Sequence, residues 1–260
     1  MTTDASEDWK HWHEHRSETV SAPYGPLALT GTYWIEDYPE GELPGIPGRW
    51  AAGDDAVVLT ATAEDGLTLG GEPFTGEVTL GADLGQAGGA RVGHGERRFV
   101  VLVREGVWGV RDFDPGSPAR GAFKGIEATD HDPRWSVPGH FTPYGESRTV
   151  RVENADGRAR GLGLGGVLAF TLDGQDLTLQ VSVQSDGSLW AVFADSTSGE
   201  SSYRFRFLRP AAPDAEGRTT VDFNRALLPP CAFADHFICP FPPPGNTLGT
   251  AIAAGERNLL

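Results

Sequence analysis

Between Tyr24 and Val110 apolar side chains recur at every second position, in short runs broken by glycine, aspartate and proline. A period of two over four to eight residues is the mark of half-buried strands. The runs are Ala56–Ala61, Leu67–Leu69, Gly76–Leu80, Phe99–Val103 and Val107–Phe113, preceded by Leu27–Ile35, which reads as a strand pair or one bulged strand. The same period returns at Arg148–Val152, Gly165–Leu172, Asp176–Val183, Leu189–Ala194 and Tyr203–Leu208. Asp173-Gly174 separates two of these alternations, the sequence of a tight hairpin turn. Only Ala5–Val20 has a helical period. Ser6 can cap it, and Trp9, Trp12, His13, Arg16 and Val20 share one face. The pattern predicts a mainly β protein with two β lobes, sandwich or barrel-like, one N-terminal helix and a proline-rich C-terminal segment packed across them. The expected organisation is a helix (1–20), an N-terminal β lobe (21–111), an ordered crossover (112–144) and a C-terminal β lobe (145–260), with one continuous domain as the alternative.

Three stretches break the alternation. Tyr38–Gly48, YPEGELPGIPG, is too rich in proline and glycine for a regular element and reads as a long surface loop. Asp112–Tyr144 has little periodicity but many aromatic anchors, which makes it the crossover. Val221–Glu256 holds both cysteines, a cluster of prolines, and Asp222, Asn224, Arg225, Asp235, His236, Asn246 and Glu256. Its prolines exclude a helix interior or a central strand. Its phenylalanines and leucines need burial, so it is read as an ordered loop, with Phe223–Asn246 lining the main cavity or sealing one lobe.

The formal net charge of −15 excludes a phosphate backbone as partner. Arg91–Arg98, Arg104–Arg111 and Arg204–Arg209 are locally basic and read as solvated strand positions. Turned inward, such arginines would anchor an anionic small molecule. No apolar run approaches the ~20 residues of a membrane-crossing helix. The first residues are acidic, without a hydrophobic segment. A cytoplasmic protein with reduced cysteines is expected, and a homodimer is left open.

At Asp195-Ser-Thr-Ser-Gly-Glu200, Asp222-Phe-Asn-Arg225, Pro229-Pro-Cys231 and Cys239-Pro, through to Ala254-Gly-Glu256, the chain resembles the bacterial and archaeal domain of unknown function 1684 family. Asp114-Pro115, Ser117-Pro118, Arg120 and Phe123-Lys-Gly125 extend the resemblance. It starts weakly near Trp9 and is strong from Asp112 to Glu256. The resemblance implies no particular reaction.

The cysteines admit several arrangements: zinc held by Cys231, His236, Cys239 and a fourth ligand; a disulfide; a Cys231 nucleophile with His236 as base; or two buried thiols. The paired spacing of structural zinc is missing, so no cofactor is expected and buried thiols are favoured. Asp112, Asp114, Asp130 and Asp132 read as turn caps. Asp195, Thr197, Asp222 and Asn224 suit the satisfaction of buried loop backbone. The functional alternative brings Arg120, Asp222 and His236 together as catalytic residues, with Arg111, Asp195, Asn224 and Asn246 binding substrate. Two functions follow as expectations: a cofactor-independent hydrolase or lyase acting on a polar or anionic metabolite, or a non-catalytic ligand-binding or protein-interaction module.

Overall fold

The computed structural model describes residues 5–260. They divide into two compact units, one of Glu18–Phe123 and one of the residues up to Ser17 with Lys124–Leu260. Helix α1, Ala5–Ser21, begins in the second of these and ends in the first.

The unit Glu18–Phe123 contains strands β1 (Leu29–Trp34), β2 (Arg49–Ala52), β3 (Val57–Ala61), β4 (Thr68–Leu69), β5 (Glu72–Pro73), β6 (Gly76–Leu80), β7 (Val92–His94), β8 (Arg97–Arg104) and β9 (Val107–Phe113). They form a six-stranded sheet, β1-β9-β8-β7-β4-β5, and a three-stranded sheet, β2-β3-β6. The β8–β9 hairpin turns through Glu105 and Gly106, both at positive φ, as a two-residue turn between right-twisted strands requires. The register of β1 slips between Leu29 and Gly31, so the expected bulged strand is present. Trp50, Leu59, Leu67, Leu80, Phe99 and Val110 pack as one cluster. Leu43 and Ile46 join it, so Tyr38–Gly48 is irregular as expected but is anchored in the core rather than lying on the surface. A five-residue helix, α2 (Pro118–Ala122), follows β9.

The unit carrying Lys124–Leu260 contains β10 (Ile126–Ala128), β11 (Ser136–Glu153), β12 (Ala159–Leu172), β13 (Gln175–Val183), β14 (Leu189–Phe193), β15 (Arg206–Leu208), β16 (Arg218–Asp222) and β17 (Glu256–Leu259). Its sheet order is β15-β14-β13-β12-β11-β16, with β10 and β17 paired separately. Burial alternates along β12: Arg160, Leu162, Leu164, Gly166, Leu168, Phe170 and Leu172 are buried, and the residues between them are not. Full burial of a side chain such as Leu168 is worth about 1.5–3 kcal/mol. The β12–β13 hairpin turns at Asp173-Gly174, both at positive φ, the turn that this dipeptide predicts.

The architecture is mainly β, with two β units and one long N-terminal helix, as the alternation implies. Several elements differ from the expectation. The crossover segment 112–144 contains the end of β9, α2, β10, a 3₁₀ turn at Pro133–Trp135 and the start of β11. The strand expected at Arg148–Val152 starts at Ser136 and runs through Pro138 and Pro143. Pro138 faces Thr220 of β16 just before pairing with β12 begins at Gly139. Pro143 stands where the β11–β12 register breaks, and is not followed by a ladder partner until Arg148. Both prolines therefore sit where a missing N–H costs little. Of Tyr203–Leu208 only Arg206–Leu208 is strand.

Candidate functional site

The signature segment after Val221 is held by its own polar side chains. Asp222 ends β16 and caps the turn Phe223–Arg225, its Oδ1 accepting from Asn224 N at 3.1 Å and Asn224 Nδ2 at 2.9 Å. Asn224 in turn grips the backbone of Asp132: Asp132 N donates to Oδ1 at 2.9 Å, and Nδ2 donates to Asp132 O at 3.1 Å. The indole of Trp9 on α1 donates to Asn224 O at 2.8 Å.

Asn246 has a comparable role and is completely buried. β13 and β14 pair directly at Ser182↔Trp190 and Val183↔Leu189. Two positions further along that register Gln180 would face Val192, and there the Asn246 amide stands between the strands. Its Oδ1 accepts from Gln180 N at 2.8 Å; its Nδ2 donates to Gln180 O at 2.9 Å and Val192 O at 2.8 Å.

Asp195 and Arg206 form an ion pair of 2.7 Å with both side chains fully buried. Asp195 Oδ1 also accepts from Thr197 N at 2.8 Å and Thr197 Oγ1 at 2.7 Å. Burial alone would push the Asp195 carboxyl up, but Arg206 and Thr197 outweigh it and hold it below the usual carboxylate value. Arg206 donates onward to the carbonyls of Ile252, Ala254 and Glu256, gathering the end of the signature segment onto β15. Arg206 thus corrects the reading of Arg204–Arg209 as solvated throughout. Gly255 lies in the same stretch at φ +74°, and a Cβ there would meet Phe223 O at 2.6 Å, which explains glycine in Ala254-Gly-Glu256.

Glu256 is buried and accepts from Arg16 Nε at 3.0 Å and Leu228 N at 2.7 Å. Burial raises its pKa against the pull of Arg16. Arg16 also donates to Leu228 O at 3.1 Å and lies over the Phe233 ring.

Asp195, Asn224 and Asn246, expected as binding residues, therefore spend their polar atoms on the backbone and on Arg206, Thr197 and Asp222. Of the expected catalytic set, Asp222 lies in this unit beside Asn224. His236 is exposed in the loop after the 3₁₀ turn Pro230–Ala232. Arg120, on α2 of the other unit, donates to Ser21 O at 3.0 Å and to Pro115 O. Arg111 is in that unit too, half-buried on β9 opposite Val100 and Thr32.

Asp222 does border a cleft of about 430 Å³ lined by Leu208–Ala212, Thr219, Thr220 and Arg225. Arg225 is paired with Asp8 and stands 3.7 Å from Asp222, with its guanidinium over Trp12. Arg209, which lines the same cleft, is exposed. A cleft of about 460 Å³ at the other end of β16 is lined by His140, Asp214 and Glu216. There Asp214 accepts the backbone N–H groups of Glu216 at 3.0 Å and Arg218 at 2.8 Å, so its carboxylate closes a turn.

Cys231 and Cys239 are buried, reduced thiols, as the sequence reading favoured, but the contact of Cys231 with Tyr203 escaped it. Cys231 N donates to Cys239 Sγ at 3.4 Å, and Tyr203 Oη lies 3.1 Å from Cys231 O and 3.7 Å from Cys231 Sγ. Hydrogen bonding from Cys239, then from Tyr203 and Arg204, overcomes burial and lowers the Cys231 thiol to about 7. Burial and the neighbouring thiolate raise Tyr203 to about 12. The spacing of the cysteines hinted at their pairing; nothing in the sequence tied them to Tyr203. Among the described residues no group of three or more His, Cys, Asp or Glu side chains is placed to hold a metal, so the set Cys231, His236, Cys239 is not assembled.

No helix among the described residues is long and apolar enough to cross a membrane. Comparison with curated proteins finds no match. Among solved structures, the chain is similar to the solution NMR structure of the uncharacterized protein from gene locus rrnAC0354 of Haloarcula marismortui. The two are 35% identical, the match covers 53% of this chain and 78% of that one, and the TM-score is 0.44. The profile of the family described as "Protein of unknown function (DUF1684)" matches residues 121–257, more than half of the chain and nearly the whole of its Lys124–Leu260 part. With Asp222-Phe-Asn, the two cysteines and Ala254-Gly-Glu256 all inside that match, the chain belongs to the DUF1684 family.

Proposed function

We propose that this protein binds a polar, anionic small molecule in the cleft between β16 and Arg209–Ala212. The observation that carries this reading is the pair Arg209 and Arg225 on the walls of one cleft in a chain of net charge −15. Guanidinium groups recognise carboxylate or phosphate oxygens through charge-assisted, bidentate hydrogen bonds. The cleft's volume of about 430 Å³ suits a metabolite-sized ligand. Of Arg120, Asp222 and His236 only Asp222 lines this cleft, which favours binding over hydrolase or lyase chemistry.

Titration calorimetry with succinate, inorganic phosphate and a sugar phosphate tests the reading. At least one should bind with a Kd of about 1 mM or tighter. Arg209→Ala should weaken that binding roughly tenfold, since one charge-assisted contact is lost. Arg209 is the cleaner choice because Arg225 is also paired with Asp8 and Asp222. Equal affinity in the variant, or no heat with any of the anions, would remove the proposal.

A further inference from the structure

The thiol pair lies apart from this cleft, in a different set of residues. Cys231 sits in the 3₁₀ turn Pro230–Ala232, its carbonyl held by Tyr203. Cys239 is fixed separately: its carbonyl accepts from Ala155 N at 2.9 Å, and Asn154 Nδ2 donates to the adjoining Ile238 O at 2.9 Å. Two independently anchored backbones therefore hold the Cys239 sulfur 3.4 Å from Cys231 N. Around the two cysteines pack Val192, Phe205 and Phe207, with Phe237 and Phe241 at the edge, an apolar shell. Tyr203 and Arg204, from the segment before β15, and Cys239 are the ionisable groups that face Cys231 among the described residues. Each of them favours its thiolate. Tyr203 Oη, 3.7 Å from Cys231 Sγ, and the Arg204 guanidinium give this buried sulfur the hydrogen-bonding and cationic neighbours that favour a reactive thiolate.

We propose that Cys231 is a peroxide-reactive thiol and Cys239 its resolving partner. The Cys231 thiolate attacks one oxygen of a hydroperoxide, ROOH, breaking the O–O bond. The sulfur becomes a sulfenic acid, and the departing oxygen takes up a proton as ROH. Cys239 then attacks the Cys231 sulfur, a disulfide forms, and water leaves with the remaining proton. In sum two thiols lose two electrons, and ROOH is reduced to ROH and water. Cys231 and Cys239 are 3% and 6% exposed, so the oxidant must be small. Both lie in irregular segments, where local opening admits hydrogen peroxide without unfolding the sheet.

The full-length native protein is exposed to hydrogen peroxide, quenched with iodoacetamide and weighed intact. The expected result is a loss of about 2 Da with neither thiol alkylated, reversed by a dithiol reductant. In Cys239→Ser the reaction should stop at the sulfenic acid, trapped by dimedone on Cys231. Tyr203→Phe should slow oxidation about fivefold at pH 7 and hardly at pH 9, where the thiol ionises without help. A purely structural role for Tyr203 would not produce that pH dependence. If the native wild-type thiols stay fully reduced under peroxide and oxidise only in denaturant, the proposal is overturned. Dimedone capture on Cys239 rather than Cys231 in the wild type would reverse the roles and overturn it equally.

Discussion

Arg206 and Asp195 show what a single buried charge costs and gives. Each is fully buried, and each relies on the other for its desolvation to be bearable. Replacing Asp195 by Asn leaves the guanidinium without a counter-charge and should destabilise the protein by about 3–5 kcal/mol at neutral pH. The pH dependence has a definite sign. The folded-state pKa of Asp195 lies below its unfolded value, so its stabilisation is complete above the unfolded value and is lost as pH falls through the folded one. The difference in Tm between wild type and Asp195→Asn should therefore shrink on acidification. A difference that grew towards low pH would show that Arg206 does not control this carboxyl.

At the scale of elements, the β13–β14 ladder is completed by a side chain. The strands pair at two positions and would otherwise leave Gln180 and Val192 with buried polar backbone groups. An unsatisfied buried group costs about 1–3 kcal/mol. Asn246→Ala should thus destabilise by roughly 3 kcal/mol, and the Gln180 amide should exchange much faster with solvent. Asn246→Asp should be no better, because it removes both Nδ2 donors and turns a carboxylate towards the carbonyls of Gln180 and Val192. Near-wild-type stability in Asn246→Asp, followed by chemical denaturation, would refute this account of the strand gap. The asparagine was legible in the sequence as a polar residue in an apolar loop. Its partners were not, because they come from strands 54 and 66 residues away in the chain.

At the scale of the molecule, α1 is joined to the signature segment across more than 200 positions of sequence, through Trp9–Asn224 and Arg16–Glu256. The family match begins at residue 121, yet the buried Glu256 inside it depends on an arginine outside it. Arg16→Met should lower the Tm markedly, with a loss of about 3 kcal/mol or more for a buried carboxylate left unpaired. Adding Glu256→Gln should restore part of that loss, since no buried charge then remains. The folded pKa of Glu256 is raised, so its penalty is absent below the unfolded value and grows as pH rises through the folded one. The Arg16→Met variant should accordingly gain stability relative to wild type on acidification. Additive effects of the two substitutions, or no pH dependence of the Arg16→Met loss, would refute the coupling.

The alternation of apolar residues was sufficient to establish the β class, the N-terminal helix and the Asp173-Gly174 hairpin, because those depend on neighbours two to four residues apart. The prolines of β11 hid most of that strand, since whether a missing N–H matters depends on which side carries a partner strand. The polar residues of the signature segment were recognisable as a group, but their work was decided by folding: Asn224, Asn246 and Asp195 meet buried backbone and Arg206, whereas Asp222 borders a cleft. Arg206 looked like one solvated arginine among several until β15 turned it inward. Tyr203 and Cys231 are 28 residues apart in sequence and in contact in the fold. Local pattern fixes which backbone element a residue joins; only the packing of distant segments decides which charges are desolvated, and with them where chemistry can occur.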